Sequence, residues 1–243
     1  MSALAIHQPH YLPWLGYLAK WAAADVFVFL DTVQYEKNGW QNRNRIKTPA
    51  GPCWLTVPVH ARLGAPIAEV TLAGGQPWAA RHLRAIEDAY ARAPHLPRHR
   101  EAIRRLYAAP WQRLAPLSVA SAEWLARAIG GATPARLAST LGGTAADPTD
   151  RLIALCRAVG ADTYLAGRDG ARYMDAGRFA AAGLQVLYQE YKHPEYAQLH
   201  GEFAPNLSGL DLLLTHGDDA LAILREGDHW SPHPPSNGDV TPH

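Results

Sequence analysis

The first thirty residues hold two short apolar segments separated by a longer stretch, and this alternation limits what the chain can fold into. Residues 3–6 (ALAI) and 25–30 (DVFVFL) have the length and composition of buried β-strands. Residues 14–23 (WLGYLAKWAA), which lie between them, have the length and composition of a helix. A strand, a helix and a second strand in this order are typical of a parallel sheet.

The same alternation returns in the C-terminal half of the chain. A helix predicted at 148–159 precedes a strand at 163–166, and a helix at 175–182 precedes a strand at 184–189. We therefore predict one α/β domain over residues 1–228, built on a doubly wound, mainly parallel sheet. Further strands are predicted at 54–59 and 67–72, and short helices at 209–215 and 217–226.

Two regions depart from this alternation. Residues from about 76 to 145 carry helical patterns interrupted by Pro94, Pro110 and a glycine pair, so we predict a helical insertion or lid there. Residues 229–243 are rich in proline and turn-forming residues, and we predict that they form a disordered tail.

The composition favours a cytoplasmic globular protein. Apolar residues make up 48% of the chain and the net charge is +1, so no strong field favours nucleic acid or an anionic membrane. The N-terminus has no signal-peptide pattern, and no apolar run reaches the roughly 20 residues that span a bilayer. Cys53 and Cys156 fall in a predicted strand and a predicted helix, which favours buried, reduced thiols.

Polar side chains follow the first two strands, where ligands gather in open α/β sheets. The first strand ends in His7-Gln8-Pro9-His10-Tyr11, and the second ends in Asp31. Histidine changes charge near neutral pH, which suits acid–base catalysis or anion binding. The alternative is that one histidine caps the next helix and the other bonds locally. A metal site is not predicted, because the two histidines need at least one further ligand, for which Asp31 is the candidate.

The segment after the second strand is dense in planar hydrogen-bonding groups. Side chains on an extended segment alternate, so Arg43 and Arg45 should share one face and Asn42 and Asn44 the other. Arginine can grip a carboxylate or phosphate with two hydrogen bonds. An ordinary exposed loop is the alternative. The candidate binding residues here are Trp40, Asn42, Arg43, Asn44 and Lys47.

Two later strand ends carry further candidates. Gly167 and Arg168 follow the strand at 163–166, in a glycine-bearing turn that can hold an anion. The turn lacks the spacings of dinucleotide-binding and P-loop motifs, and no cofactor can be identified from the sequence. His193 and Tyr196 follow the strand at 184–189, and are either orienting groups or parts of a structural turn around Pro194.

Several blocks in order resemble one protein family. The N-terminal sequence IHQPHYLPWLGYLAKWAAADVFVFLDTVQYEKNGWQNRNRIK, WLTVPV, DTYLAGRDGARYMD, QVLYQEYKHPEY and PNLSGLDLLLTHG are similar to WbqC-like proteins. The resemblance covers most of residues 4–217. It implies a bacterial protein associated with the biosynthesis of O-antigen, other surface glycans or specialised metabolites. Transfer of an amino acid such as glycine onto a sugar acid is the activity suggested for that family.

The leading hypothesis is a transferase that makes an amide or ester from an activated acyl or aminoacyl donor. His7 or His10 would be the base, and Asp31 would orient a histidine or the amine. The predicted substrate is a small molecule, such as a sugar nucleotide or a carrier-bound acyl group. The substrate-binding candidates are Gln8, Tyr11, Trp40, Asn42, Arg43, Asn44, Lys47, Gly167, Arg168, His193 and Tyr196.

Two other function classes stay open. ATP-dependent nucleotidyl transfer has a loose topological parallel, although the chain has Trp14-Leu15-Gly16-Tyr17 where such enzymes carry His-x-Gly-His. A non-catalytic binding protein within a biosynthetic complex is the third class. Pyrophosphate release would identify nucleotidyl transfer. Tight partner binding without turnover would identify a binding protein.

Overall fold

A computed structural model describes residues 2–75, 77–131, 133–142 and 145–234. The strands are β1 (Ala3–His7), β2 (Val26–Phe29), β3 (Arg43–Thr48), β4 (Gly51–Thr56), β5 (Val59–His60), β6 (Thr71–Leu72), β7 (Ala135–Leu137), β8 (Thr163–Ala166), β9 (Gln185–Tyr191) and β10 (Asp228–Ser231). The α-helices are α1 (Leu15–Ala22), α2 (Trp78–Ala89), α3 (Leu96–Ala108), α4 (Leu114–Ile129), α5 (Pro148–Val159), α6 (Ala176–Ala181), α7 (Gly209–His216) and α8 (Ala220–Glu226).

A six-stranded sheet organises the fold, in the order β10-β9-β8-β1-β2-β7. All neighbouring strands are parallel except β10, which runs antiparallel to β9. The chain proceeds from β1 to β2 and β7 in one direction, and then returns to β8 and β9 on the other side of β1. The predicted α/β fold with a mainly parallel sheet is confirmed, and β1 and β8 flank its topological switch point.

Helices cover both faces of this sheet. Alternate residues of β1 point to opposite faces, so Ala5 packs in one core with α1, α4, α7 and α8, while Leu4 and Ile6 pack in another with α5 and α6. His7 follows Ala5 in the alternation and therefore faces α1. The near-continuous apolar character of β1 and β2 reflects burial on both faces.

The helix ends follow recognisable sequence signals. The side chain of Asp147 accepts a hydrogen bond from the amide of Asp150 and caps α5, and Pro148 occupies its first turn. Gly160 ends the same helix at φ 70°, a left-handed conformation that glycine adopts without steric cost. Asp175 and Ser208 cap α6 and α7 in the same way as Asp147.

A second layer of structure lies over the face of the sheet that α1, α4, α7 and α8 cover. The antiparallel hairpin β3–β4 packs with α2, α3, α4 and α7 around its own core, which includes Tyr11, Ile46, Leu55, Ile103 and Leu210. The pair β5–β6 is a separate two-stranded ribbon. Tyr11 belongs to this core, so the loop after β1 joins the main sheet to the hairpin and helices.

Several sequence-based expectations were wrong in detail. The range 76–145 contains the helices α2, α3 and α4, but also β7, which is a strand of the main sheet. Residues 229–231, assigned to the disordered tail, instead form most of β10, while residues 235–243 lie outside the described residues. Cys156 is buried as expected, but Cys53 is exposed on β4. No helix of the described residues is long and apolar enough to cross a membrane.

Candidate functional site

Three aromatic rings meet where β1 ends. The ring centroid of His7 lies 4.6 Å from that of His10 and 4.5 Å from that of Tyr17 on α1. The rings of His10 and Tyr17 stack at 5.1 Å. His10 and Tyr17 are buried, whereas His7 and Gln8 are half-buried and form the more accessible side of the cluster.

The hydrogen bond of His7 fixes its neutral tautomer. Its Nδ1 lies 3.2 Å from the carbonyl oxygen of Gln8, and because a carbonyl can only accept, Nδ1 carries the proton. Burial, together with the charge of Lys20, holds the pKa of His7 well below its usual value. The neutral ring therefore keeps a lone pair on Nε2, which is the arrangement required of a base.

A chain of amides orients the side chain of Gln8. The backbone amide of Glu36 donates to Oε1 of Gln41 at 3.2 Å, which leaves the Gln41 Nε2 as a donor. That nitrogen donates to Oε1 of Gln8 at 2.6 Å. The Gln8 Nε2 is consequently turned away from this bond and can donate to another group.

Lys20 is a buried cation beside the two histidines. Its side chain is 3% exposed, and its Nζ donates to the carbonyl of Ile6 at 2.9 Å. Among the described residues, no carboxylate lies within ion-pair distance of it. Burial lowers the pKa of Lys20 to about 7, and burial together with the charge of Lys20 lowers the pKa of His10 to about 3.

The end of β8 lies next to Lys20. Gly167 follows Ala166, the last residue of β8, and a Cβ built on it would lie 3.7 Å from the Lys20 Nζ. Arg168 is half-buried in the next turn. Because β1 and β8 flank the switch point of the sheet, His7, Lys20 and Gly167 lie where ligands bind in folds of this class.

Side chains from the hairpin and from α4 hold the loop after β1. Leu12 is buried and adopts φ 45°, a left-handed conformation that is unfavourable for leucine. Its amide donates to Oγ of Ser121 at 3.0 Å, and its carbonyl accepts from Nδ2 of Asn44 at 2.6 Å. These two bonds fix a strained backbone between His10 and α1.

Two of the predicted residues near this loop bond to other parts of the fold. Both carboxylate oxygens of Asp31 accept hydrogen bonds from Ser139, one from its amide at 3.0 Å and one from its hydroxyl at 2.7 Å. The Tyr11 hydroxyl contacts Nδ1 of His82 at 3.0 Å and the hydroxyl of Tyr107. Asp31 therefore holds the turn after β7, and Tyr11 joins β1 to α2 and α3.

The alternation predicted for residues 42–45 is present in the hairpin. Asn42 and Asn44 are buried, and the Asn42 amide donates to the carbonyl of Val57 at 2.8 Å. Arg43 and Arg45 face outward, with guanidinium carbons 4.3 and 5.5 Å from the ring centre of Trp54. The ring of Trp40 lies 5.4 Å from that of Trp54. The arginines and tryptophans form a surface cluster, and the asparagines connect the hairpin to its surroundings.

A second buried polar cluster joins the hairpin to α7. The Lys47 Nζ donates to the carbonyl of Gly201 at 3.2 Å and to that of Glu202, and the Tyr90 hydroxyl donates to Asp211 at 2.8 Å. Burial raises the pKa of Asp211, while the hydroxyls of Tyr90 and Tyr196 and the charge of Lys47 oppose this rise. Lys47 and Tyr196, predicted as binding residues, lie in this cluster.

His193 adjoins the second cluster. Its ring stacks on that of Tyr196 with centroids 6.3 Å apart, and its Nδ1 donates to the carbonyl of Pro194 at 2.9 Å. The tautomer is therefore the same as that of His7, and burial lowers the pKa of His193. Its Nε2 is buried and has no hydrogen-bond partner within the described ranges.

Sequence reasoning missed Lys20, Tyr17, Gln41 and Asp211. Lys20 is the one charged residue in the apolar sequence WLGYLAKWAA, and a lysine in a helix that is apolar on every side is a signal for burial. Asp211 in SGLDLLL gives the same signal. Gln41 could not be recognised, because its role depends on a contact with Gln8 that only the fold creates.

Two further features concern metal and ligand binding. No group of three or more His, Cys, Asp or Glu side chains in the described part of the chain is arranged to hold a metal ion. A cavity of about 470 Å³ opens beside β5 and β6, lined by Val59, His60, Ala61, Arg62, Ala65, Glu69 and Thr71. Its charged residues Arg62 and Glu69 are exposed and pair with each other at 2.9 Å.

Comparison with known proteins agrees with the sequence blocks noted above. The model of the WbqC-like protein family matches residues 8–223. This chain belongs to the WbqC-like protein family. It is 36% identical to the uncharacterized protein Rv1507c of Mycobacterium tuberculosis over 230 residues, which cover 93% of this chain and 98% of that protein. No solved structure matches significantly.

Proposed function

We propose that this WbqC-like protein transfers an acyl or aminoacyl group from an activated donor to an amine or hydroxyl, forming an amide or ester. The supporting observation is the pair His7 and Gln8 at the end of β1. His7 presents a neutral imidazole with an unprotonated Nε2, and Gln8 presents an oriented amide donor. A base beside a hydrogen-bond donor is what acyl transfer requires.

His7 is the proposed base. Its Nε2 takes the proton of the acceptor amine or hydroxyl as that group attacks the carbonyl carbon of the donor, and the proton then passes to the leaving group. The low pKa of His7 keeps it neutral at physiological pH. His10, whose pKa is about 3, stays neutral too and supports the ring of His7 through its edge contact.

Gln8 is the proposed donor to the oxyanion. Its Nε2 is held in place by the chain through Gln41 to the backbone of Glu36, so it needs no reorganisation when charge develops on the donor carbonyl. Arg168, in the turn that follows β8, is the cation that we assign to a charged part of the substrate. Asp31 contributes to the turn after β7 in this proposal, and we assign it no catalytic role.

The family suggests which substrates to test. Membership in the WbqC-like family supports a role in the biosynthesis of surface glycans or specialised metabolites. The donors to test are aminoacyl and carrier-bound acyl groups, and the acceptors are amino sugars and sugar acids, free or as sugar nucleotides. Product formation is detected as a mass shift, and pyrophosphate release is followed in parallel with ATP.

The variant His7→Ala tests the base. With a productive substrate pair, we expect its kcat to fall about 10²–10⁴-fold, because general base catalysis contributes that much. His229→Ala is the matched control, since His229 is exposed on β10 at the edge of the sheet, and its rate should be unchanged. Full activity of His7→Ala would contradict the proposed role of His7 as the base. Release of pyrophosphate from ATP would indicate nucleotidyl transfer in place of acyl transfer.

A further inference from the structure

Lys20 is a buried charge without a counter-ion. Its Nζ donates one hydrogen bond, to the carbonyl of Ile6, and two of its three N–H groups have no acceptor among the described residues. A buried ammonium group is costly unless it is paired. A protein that keeps such a group has a use for the charge, and an anionic ligand would supply the missing partner.

Gly167, at the end of β8, lies beside this ammonium group. Leaving out the two chain neighbours of Gly167, the Lys20 Nζ is the one described atom within 4 Å of a Cβ placed on it, at 3.7 Å. Any other residue at this position would direct a side chain toward the ammonium group. Glycine therefore places no side chain between the end of β8 and Lys20, at the switch point of the sheet.

Two further groups are candidates for the same ligand. Nδ1 of His10 is buried and makes no hydrogen bond in the part of the chain that the structure describes, and the charge of Lys20 acts on this ring. Arg168, the residue after Gly167, is half-buried and forms no ion pair with a described carboxylate. Lys20 and Arg168 are thus two cations without an acidic partner among the described residues, and His10 adds a buried imidazole nitrogen.

We infer that Lys20, His10, Gly167 and Arg168 form a binding site for a phosphate group. A phosphate monoester is close to dianionic at neutral pH and has several acceptor oxygens, so it can match two cations and accept from Lys20 and His10 together. A carboxylate carries a single charge and would leave one cation unbalanced. The inference is independent of acyl transfer, because it concerns only the binding of the anion.

The protein should take up a proton when phosphate binds at this site. An anion beside Lys20 favours its charged form, so a group with a pKa of about 7 in the empty site is protonated more fully when phosphate is bound. Burial holds His7, His10 and Tyr17 neutral at pH 8, and the guanidinium group of Arg168 is a fixed positive charge. Lys20 is therefore the group that takes up the proton.

Calorimetric titration with inorganic phosphate tests this site. At pH 8, titrations in two buffers of different ionisation enthalpy should show saturable binding with proton uptake by the wild-type protein. Lys20→Met should bind phosphate about tenfold more weakly or worse and lose the proton uptake, because a charged hydrogen bond is lost. Sulfate should bind like phosphate, and acetate more weakly.

Glycine variants provide the matched control. Gly167→Val places a side chain against Lys20 and should weaken phosphate binding, whereas Gly74→Val, at a position with nothing within 4 Å of a Cβ, should leave it unchanged. His7→Ala should retain phosphate binding even if it lacks activity, which separates this site from the proposed chemistry. Equal affinity of Lys20→Met and wild type, absence of saturable binding to wild type, or tighter binding of acetate would overturn the inference.

Discussion

Lys20 and Lys47 are both almost fully buried, with exposed fractions of 3% and 2%, but their surroundings differ. Lys47 donates to two backbone carbonyls, and its charge acts on the buried Asp211. Lys20 donates to a single carbonyl and faces two histidines. Among the described residues, Lys47 has two carbonyl acceptors and an acidic neighbour, whereas Lys20 has one acceptor and no counter-ion. This difference separates a structural cluster from a candidate binding site.

The clusters also differ in their position relative to the sheet. Lys20 projects from α1 beside the switch point between β1 and β8, the position where ligands bind in open α/β sheets. Lys47 lies on β3 and reaches the backbone before α7, so it joins the hairpin to the rest of the molecule. A cation that connects two elements stabilises their contact, whereas an unpaired cation at a switch point is a candidate for ligand binding.

The largest stability effect is expected from removing the unpaired charge. The pKa of Lys20, lowered from 10.5 to about 7, corresponds to a penalty of about 5 kcal/mol when the side chain is charged. Lys20→Met removes this penalty and leaves the Ile6 carbonyl without its donor, which costs about 1–3 kcal/mol. We expect a net increase of roughly 2–4 kcal/mol in the free energy of unfolding at pH 6, measured by urea denaturation.

The pH dependence of this gain identifies its cause. Between pH 7 and 10.5 the unfolded state binds a proton at Lys20 that the folded state does not, so the wild-type protein becomes more stable with rising pH. The penalty is complete below about pH 7, and the advantage of Lys20→Met should shrink at pH 9. A destabilised variant, or a gain that does not vary with pH, would show that Lys20 is a structural residue like Lys47.

Lys20→Met should raise the free energy of unfolding, whereas Lys47→Met should lower it. This variant leaves the carbonyls of Gly201 and Glu202 without their donor, and it removes the charge that favours ionised Asp211. We expect a loss of about 1–3 kcal/mol in the free energy of unfolding, from the same urea experiment. A gain in stability would place the two lysines in one class and remove the distinction between the clusters.

The sequence predicted the main sheet well because its strands are short apolar runs separated by helices. It did not predict β3, since the sequence RNRIKT is mostly polar. The strand can bury Asn44 because its side-chain amide bonds to the backbone of Leu12 and Arg45. The strand β10 was missed because pairing with β9 outweighs the local preference of a proline-rich region. Both errors come from contacts between segments distant in sequence.

The candidate site was predicted only in outline. His7, Gln8, His10 and Gly167 were expected at strand ends, and parallel topology brings those ends together. The charge state of the site could not be predicted, since the sequence signals that Lys20 is buried but not which groups surround its ammonium group. Long-range hydrogen bonds also assign Asp31 to a turn, which its place at the end of β2 did not suggest.

The smallest effect concerns the loop that connects β1 to α1. Asn44→Leu keeps the side-chain size but removes the donor to the Leu12 carbonyl and the acceptor for the Arg45 amide, so we expect a loss of about 2 kcal/mol. The loop is strained at Leu12, and losing this bond should speed amide hydrogen exchange in residues 8–14. Asn42→Leu is the matched comparison, because the Asn42 side chain donates to the carbonyl of Val57 and not to that of Leu12. Equal exchange in the two variants would mean that Asn44 stabilises the hairpin alone and does not position the histidine loop.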